Sequence, residues 1–281
     1  MGINVLSLFD GISCGQIALE RAGIDVDNYF ASEVDKYAIQ VTKRNYPNTK
    51  HIGDVTKVKG VDLPTIDLLI GGSPCQGFSF AGKQLNFDDP RSRLFFEFIR
   101  LKNEINPKHF LLENVKMKKE YAEKISEYIG VSVSKINSSL FSCQNRERLY
   151  WTNISIPKIV NKDADCFNDY LYRLGHGYIS DEIKFFEKYP SLAAQSPATK
   201  YRIVVDLKQA LIALESNTLD KIRRGEGITR SATPEECERF QTLPPTYTLP
   251  LNKTQRYKCI GNGWTVDVIA HIFKGLLNEN L

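Results

Sequence analysis

The chain has 281 residues, of which 42% are apolar and 25% charged, with a formal net charge of +4. That length suits one large core, or a larger domain beside a smaller one, and the composition is that of an ordinary water-soluble protein. No apolar run reaches the length that crosses a bilayer, and Met1-Gly2-Ile3-Asn4 carries neither a basic secretion-type start nor a full acylation pattern, so the expectation is a cytoplasmic chain with no membrane partner, while so mild a charge does not by itself point to nucleic acid.

In chain order, Ile3 to Phe9 reads as a buried strand that ends in the turn Asp10-Gly11. Ile17, Leu19 and Ala22 predict a helix stopped by Gly23. A strand over Tyr29 to Ser32, a helix over Asp35 to Tyr46 closed by Pro47, and a third strand over Ile66 to Ile70 follow. Leu94 to Ile105 predicts a helix, and His109 to Leu112 a strand ending in Glu113-Asn114. Strands alternating with helices predict an α/β, doubly wound, mostly parallel Rossmann-like sheet. Residues 157 to 228 are rich in Asp, Lys, Tyr and Gly, and their periodicity is weak, which predicts a second, smaller domain. Thr233-Pro234-Glu235-Glu236 predicts a helix start with Thr as cap and Pro first, and Val266 to Leu277 a final amphipathic helix. The domain expectation is therefore 1–156 plus 229–281 against 157–228.

In such sheets ligands bind beyond the carboxyl ends of the strands, and each of those ends carries polar chemistry here. After the first strand comes Phe9-Asp10-Gly11-Ile12-Ser13-Cys14-Gly15, where glycines allow close approach and a helix N-terminus follows. Glu33 follows the second strand, where an acid takes the two hydroxyls of a ribose, and Asp54 follows Gly53 at another strand end. Together they predict an adenosine-containing cofactor without saying which. The cysteines stand at 14, 75, 143, 166, 237 and 259. None are spaced C-x-x-C, so neither a zinc knuckle nor any other metal site is expected, and the default for each is a small buried apolar residue. Cys75 departs from that default. It lies in Gly71-Gly72-Ser73-Pro74-Cys75-Gln76-Gly77, a rigid turn at a strand end, where a thiolate can act as nucleophile. Glu113 at the next strand end offers a carboxyl group for a ring nitrogen. Arg146 and Arg148, at alternate positions, would point to one face of an extended segment.

With these pieces in place, the chain resembles the DNA (cytosine-5) methyltransferases over nearly its whole length. The resemblance rests on Phe9-Asp10-Gly11, Ser32-Glu33-Val34, Gly53-Asp54-Val55, Pro74-Cys75-Gln76, Glu113-Asn114-Val115, Gln144-x-Arg146-x-Arg148, Arg230-x-x-Thr233-Pro234-x-Glu236 and Gly261-Asn262-Gly263, in the family's order. It implies S-adenosylmethionine as cofactor, converted to S-adenosylhomocysteine. Phe9 would lie against the sulfonium, Asp10, Gly11, Ser13 and Gly15 near the methionine part, Glu33 on the ribose and Val34 against the adenine. Asp54 would take the adenine amino group with Val55 beside it, and Asn262, Gly263 and Trp264 would close the pocket. The resemblance implies a catalytic set of Pro74, Cys75, Glu113, Asn114, Arg146 and Arg148. Within it Cys75 would attack carbon 6 of a flipped-out cytosine, Glu113 would protonate N3 and Arg148 would hold the carbonyl oxygen. Two positions depart from the common pattern. Ser13 stands where Phe-x-Gly-x-Gly has its second glycine, and Phe-Asp-Gly with Gly261-Asn262-Gly263-Trp264 is closer to the animal de novo branch.

The partner implied is double-stranded DNA carrying a short specific site, with a restriction endonuclease acting separately and the enzyme a monomer in a bacterial or phage-infected cell. Gln76 to Arg93 reads as a loop over the flipped base, with Gln76, Lys83, Gln84 and Arg91 as its DNA candidates. Residues 157 to 228 fall where the family keeps its target-recognition domain. Lys200, Arg202, Arg223, Arg224 and, beyond it, Arg230 are candidates for phosphates or bases; a solvated face is the competing reading for each. Two rival functions stay open at this point. One is an RNA cytosine-5 methyltransferase of the tRNA-modifying branch, whose chemistry would be the same. The other is a catalytically silent DNA-binding relative, against which Cys75, Glu113 and Arg148 argue.

Overall fold

The computed structural model describes residues 2–74, 93–159, 169–173, 182–186, 189–190, 192, 201–216 and 227–279. β1 (Ile3–Leu8) is buried at all but one position. α1 (Cys14–Ala22) ends at Gly23, whose φ of 76° is the left-handed cap that glycine adopts without steric cost. β2 (Val26–Ser32) leads to α2 (Lys36–Asn45), capped by the Asp35 side chain on the Tyr37 N–H. There follow β3 (Lys50–His51), β4 (Leu68–Gly72), α3 (Arg93–Ile105), β5 (His109–Val115), α4 (Lys119–Ile129), β6 (Val133–Asn137), β7 (Gln144–Asn145) and β8 (Glu147–Thr152).

Seven of these strands form one sheet in the order β3-β2-β1-β4-β5-β8-β6. β3 through β5 are parallel, and β8 runs antiparallel between β5 and β6. Successive residues of a strand feed opposite faces. Val5 and Ile70 join one apolar cluster, with Ile17, Val266 and Ile269, while Leu6 and Leu69 join the other, with Phe95, Phe98 and Trp151. Burial on both faces is why these strands read as continuous apolar runs. This is the doubly wound α/β fold expected. The strand boundaries shift in one place that matters for the site. The third long strand is Leu68–Gly72, because Gly71 and Gly72 stay in the ladder opposite Leu112 and Glu113.

Beyond β8, β9 (Asp169–Arg173), β10 (Glu182–Phe186), β11 (Tyr189–Pro190), β12 (Tyr201–Val204), α5 (Leu207–Glu215) and β13 (Thr229–Arg230) lie within or beside the stretch of weak periodicity. Four of them make an antiparallel sheet, β10-β9-β12-β13, and β11 pairs in parallel with β7. α6 (Pro234–Phe240) starts as expected at Thr233 with a capping box, Thr233 Oγ1 accepting from the Glu236 N–H at 3.2 Å and the Glu236 carboxylate from the Thr233 N–H at 2.7 Å. α7 (Lys253–Asn262) and α8 (Val266–Phe273) close the order, and the apolar period expected to reach Leu277 passes after Phe273 into a 3-10 turn. α8 packs against α1, which brings Gly261 to Trp264 beside the turn after β1. Among the described residues no helix is long and apolar enough to cross a membrane.

Candidate active site

The turn after β1 has an unusual backbone. Phe9 and Ser13 both lie at φ 56° and Gly11 at φ 60°. Side chains rarely take that left-handed region, so two residues bearing a Cβ there must be held by their surroundings. The holding groups are visible. Ser13 Oγ donates to Asp10 Oδ2, Tyr29 donates to Asp10 Oδ1 at 2.7 Å, and Thr42 Oγ1 donates to Ser13 Oγ at 3.1 Å. Burial raises the Asp10 carboxyl to about 6, against the opposing pull of its Ser13, Ser7 and Tyr29 hydrogen bonds. Ser13, standing in the place of a glycine, is thus tied into a buried hydroxyl network.

Glu33, at the carboxyl end of β2, is aimed by three backbone amides. Oε2 accepts from Gly11 N–H at 2.8 Å, and Oε1 from Val34 N–H at 2.7 Å and Asp35 N–H at 2.8 Å. Beside it Val34 is 70% exposed, an apolar side chain left uncovered next to a fixed carboxylate. Asp54 caps the turn Val55–Lys57 through Oδ1, which Thr56 binds by N–H and hydroxyl, and these bonds lower its pKa. Val55 is buried beneath it. A Cβ on Gly15 would come within 2.6 Å of Ile70 and 2.8 Å of the Tyr29 hydroxyl, so only glycine fits there. Gly263 is buried and Asn262 exposed at the end of α7.

The second part of the site lies where β4 and β5 end side by side. Glu113, 8% exposed, sits across from Gly72 on one neighbour and Tyr150 on the other. Its Oε1 lies 3.2 Å from Arg148 Nε, and its Oε2 accepts from the Trp264 indole N–H at 3.2 Å. Arg148 Nη1 donates to the Glu147 carbonyl at 2.9 Å. Asn114 donates to Ser73 Oγ at 3.1 Å and accepts from the Val115 N–H at 2.8 Å, which ties β5 to the residues just before Pro74, itself half-buried. Cys75, Gln76, Lys83, Gln84, Arg91, Lys200, Arg223 and Arg224 lie outside the described residues.

Residues 3–169 and 210–278 match the C-5 cytosine-specific DNA methylase family. The chain belongs to that family. Among curated proteins it is 30% identical to the type II methyltransferase M1.ScrFI of Lactococcus lactis subsp. cremoris over 98% of this chain and 78% of that one. It is 34% identical to the orphan methyltransferase M.SPRI of Bacillus phage SPR over 83% of this chain and 58% of that one. Among solved structures, Spodoptera frugiperda DNMT2 (a triple mutant) superposes with a TM-score of 0.70 at 19% identity, covering 98% of this chain and all of that one, a likeness of fold. The enzyme class expected from the motifs, DNA (cytosine-5-)-methyltransferase, stands with the family.

In this C-5 cytosine-specific methylase the segment around Gln144 to Arg148 is not the single extended strand imagined. β7 pairs with β11 and β8 with β5 and β6, and Arg146 falls at the break. Its guanidinium, 4% exposed as a residue, donates to the carbonyls of Leu192 at 2.8 Å, Gly261 at 3.1 Å and Gly263 at 3.1 Å. Burial, then Arg148, pushes it down to about 9, still charged at neutral pH. Arg146 therefore braces the α7–α8 turn, while Arg148 reaches Glu113. The two described candidates for DNA contact are likewise engaged with protein. Arg202 donates to Thr229 at 2.7 and 3.1 Å, and Arg230 pairs with both oxygens of Glu236 at 2.8 Å. Sequence reading missed Tyr29, Thr42 and Gln241. Gln241 donates to the carbonyls of Ile260 and Gly263 and accepts from Thr265, contacts that span too much chain for any local pattern to show.

Proposed function

We propose that the chain transfers a methyl group from S-adenosylmethionine to carbon 5 of a cytosine flipped out of duplex DNA, with Cys75 as nucleophile. The observation that carries the proposal is the Glu113 carboxyl, fixed between Arg148 and Trp264 beside the strand end that leads into Ser73-Pro74-Cys75. The cofactor half fits an adenosine-containing ligand. Glu33 is pre-aimed by three amides for a pair of ribose hydroxyls, the bare Val34 offers an apolar face to a purine, and Asp54 keeps Oδ2 clear of Thr56. Phe9, Asp10, Gly11, Ser13, Gly15, Val55, Asn262 and Gly263 would complete that pocket. When bound, S-adenosylmethionine supplies an electrophilic methyl group on a sulfonium.

The remaining chemistry falls to side chains. Carbon 5 of cytosine is a poor nucleophile. Addition of the Cys75 thiolate to carbon 6 makes the ring an enamine, and a proton from Glu113 on N3 quenches the negative charge that would otherwise build up. Arg148, whose Nη2 makes no hydrogen bond among the described residues, is free to hold the base carbonyl oxygen. Once carbon 5 carries the methyl group, its proton passes to water, the thiolate leaves carbon 6, and N3 returns its proton to Glu113 as the ring is restored. The match to the C-5 cytosine-specific DNA methylase family supports DNA over RNA as substrate. In the same reading residues 157–228 recognise a short target sequence, and the chain serves restriction-modification or phage self-protection.

The test is transfer of label from S-adenosylmethionine to unmethylated DNA and, separately, to tRNA. Label in DNA is expected, and label in tRNA alone would sink the assignment. Cys75→Ser should abolish transfer while leaving S-adenosylhomocysteine binding intact; a fully active Cys75→Ser protein would refute covalent catalysis.

A further inference from the structure

We infer that Trp264 is a positioning residue for Glu113: its indole N–H orients the carboxyl, so the side chain that walls the cofactor pocket also aims the acid. The inference rests on the reading of Glu113 given above. The indole donates to Oε2 at 3.2 Å, while Arg148 meets only the other oxygen, Oε1, at 3.2 Å. The carboxyl thus has an ion-pair contact from β8 on one oxygen and its hydrogen bond from the α7–α8 turn on the other, and the indole N–H is what fixes the rotation of the carboxyl plane.

The indole has been given room. A Cβ on Gly72 would come within 2.8 Å of Trp264 Nε1 and 3.2 Å of Glu113 Oε2. The end of β4 is bare where that hydrogen bond passes over it. The far edge of the same ring reaches the cofactor loop, with Cζ3 lying 3.8 Å from a Cβ placed on Gly15. The backbone that carries the ring is held on both sides. The Gly263 carbonyl accepts from Arg146 at 3.1 Å and from Gln241 at 3.1 Å, and Thr265 Oγ1 donates to Gln241 at 2.7 Å and accepts from Ser138 at 2.8 Å. A wall alone would need only an aromatic ring. The restrained backbone, the bare Gly72 and the N–H aimed at Oε2 together specify an indole. Among the described residues, the other charged or titratable groups acting on Glu113 are Arg148 and Tyr150 from β8 and Arg146 from the β7–β8 break.

Trp264→Phe keeps a ring and removes the donor. It should lower kcat for methyl transfer by about tenfold or more, the scale of one hydrogen bond to a charged group. It should also displace the pH profile of kcat, and leave S-adenosylhomocysteine affinity within about threefold. Wild-type kcat and pH profile in Trp264→Phe, or a defect confined to cofactor affinity, would overturn the inference. A second measurement does not need activity. The chain has two tryptophans, and the Trp151 indole donates instead to Ser126 at 2.9 Å. In the S-adenosylhomocysteine complex the Trp264 indole N–H resonance, identified by its absence in Trp264→Phe, should shift in Glu113→Gln while the Trp151 signal is unmoved. A Trp264 resonance indifferent to Glu113→Gln would equally overturn the pairing. Absence of methyl transfer by the wild-type protein to any nucleic acid would instead count against the functional reading, with the resonance still deciding the contact.

Discussion

The carboxyl of Asp10 is enclosed by Tyr29 and Ser13 under the turn that follows β1, although the residue as a whole is only half-buried. Folding raises this acid from 3.8 to about 6, burial being the main cause. The native state thus holds the proton more tightly than the unfolded chain. Its contribution to stability is fully present below pH 3.8 and is lost as the pH rises through about 6, an effect of order 3 kcal/mol. Asp10→Asn cannot titrate there, and the Ser13 hydroxyl can turn to accept from it. The melting temperature of Asp10→Asn relative to wild type should therefore climb between pH 4 and pH 8; a constant gap would contradict the assignment. At this scale the sequence was informative about which residues stand at strand ends and silent about what they touch. Glu33 and Glu113 were legible as acids at strand ends. That Glu33 would already bind three amides, and that Arg146 would place its guanidinium on the carbonyls of Leu192, Gly261 and Gly263, depended on neighbours far away in the chain.

Thr233 shows an element whose start was fully written in local sequence. Its hydroxyl and the Glu236 carboxylate satisfy each other's backbone amides, Pro234 takes the position that needs no N–H, and Arg230 clamps the same Glu236 from β13. Thr233→Ala should cost about 1 kcal/mol, read as a lower urea midpoint with an unchanged slope, with little effect on S-adenosylhomocysteine affinity. The parallel strands were equally legible, because two-sided burial makes each an apolar run. Others were not. Gly71 and Gly72 carry turn chemistry, yet they remain in the ladder because β5 continues beside them and α3 and Trp264 leave no room for a Cβ. The antiparallel placing of β8, between β5 and β6, is a matter of partners, which no single segment encodes. α5 was lost in a stretch whose overall texture is polar, though Asp206 caps it by accepting from the Gln209 N–H.

Across the whole molecule, the C-terminal part is held as a unit by one buried ion network. Glu238, fully buried on α6, accepts from the Thr246 and Thr248 amides at 2.9 Å and from Arg256 of α7 at 3.0 Å. Glu238→Ala would leave those groups and a buried guanidinium short of a partner, at a cost of about 3 kcal/mol. The expected outcome is a lower melting temperature together with weaker S-adenosylhomocysteine binding, since α7 and α8 carry the wall of the cofactor pocket proposed above; a drop in melting temperature with unaltered binding would show that the proposed wall holds its place without this network. The joining of chain regions remote in sequence has a consequence in time. Glu113 and Trp264 are 151 positions apart. At about 5–20 residues per second a ribosome adds the indole roughly 8–30 s after the acid. Through that interval the nascent chain carries Glu113 without the turn whose indole reaches it. In the function proposed above, a partly made chain would hold the acid without its alignment, and methyl transfer would begin only after translation has passed α8.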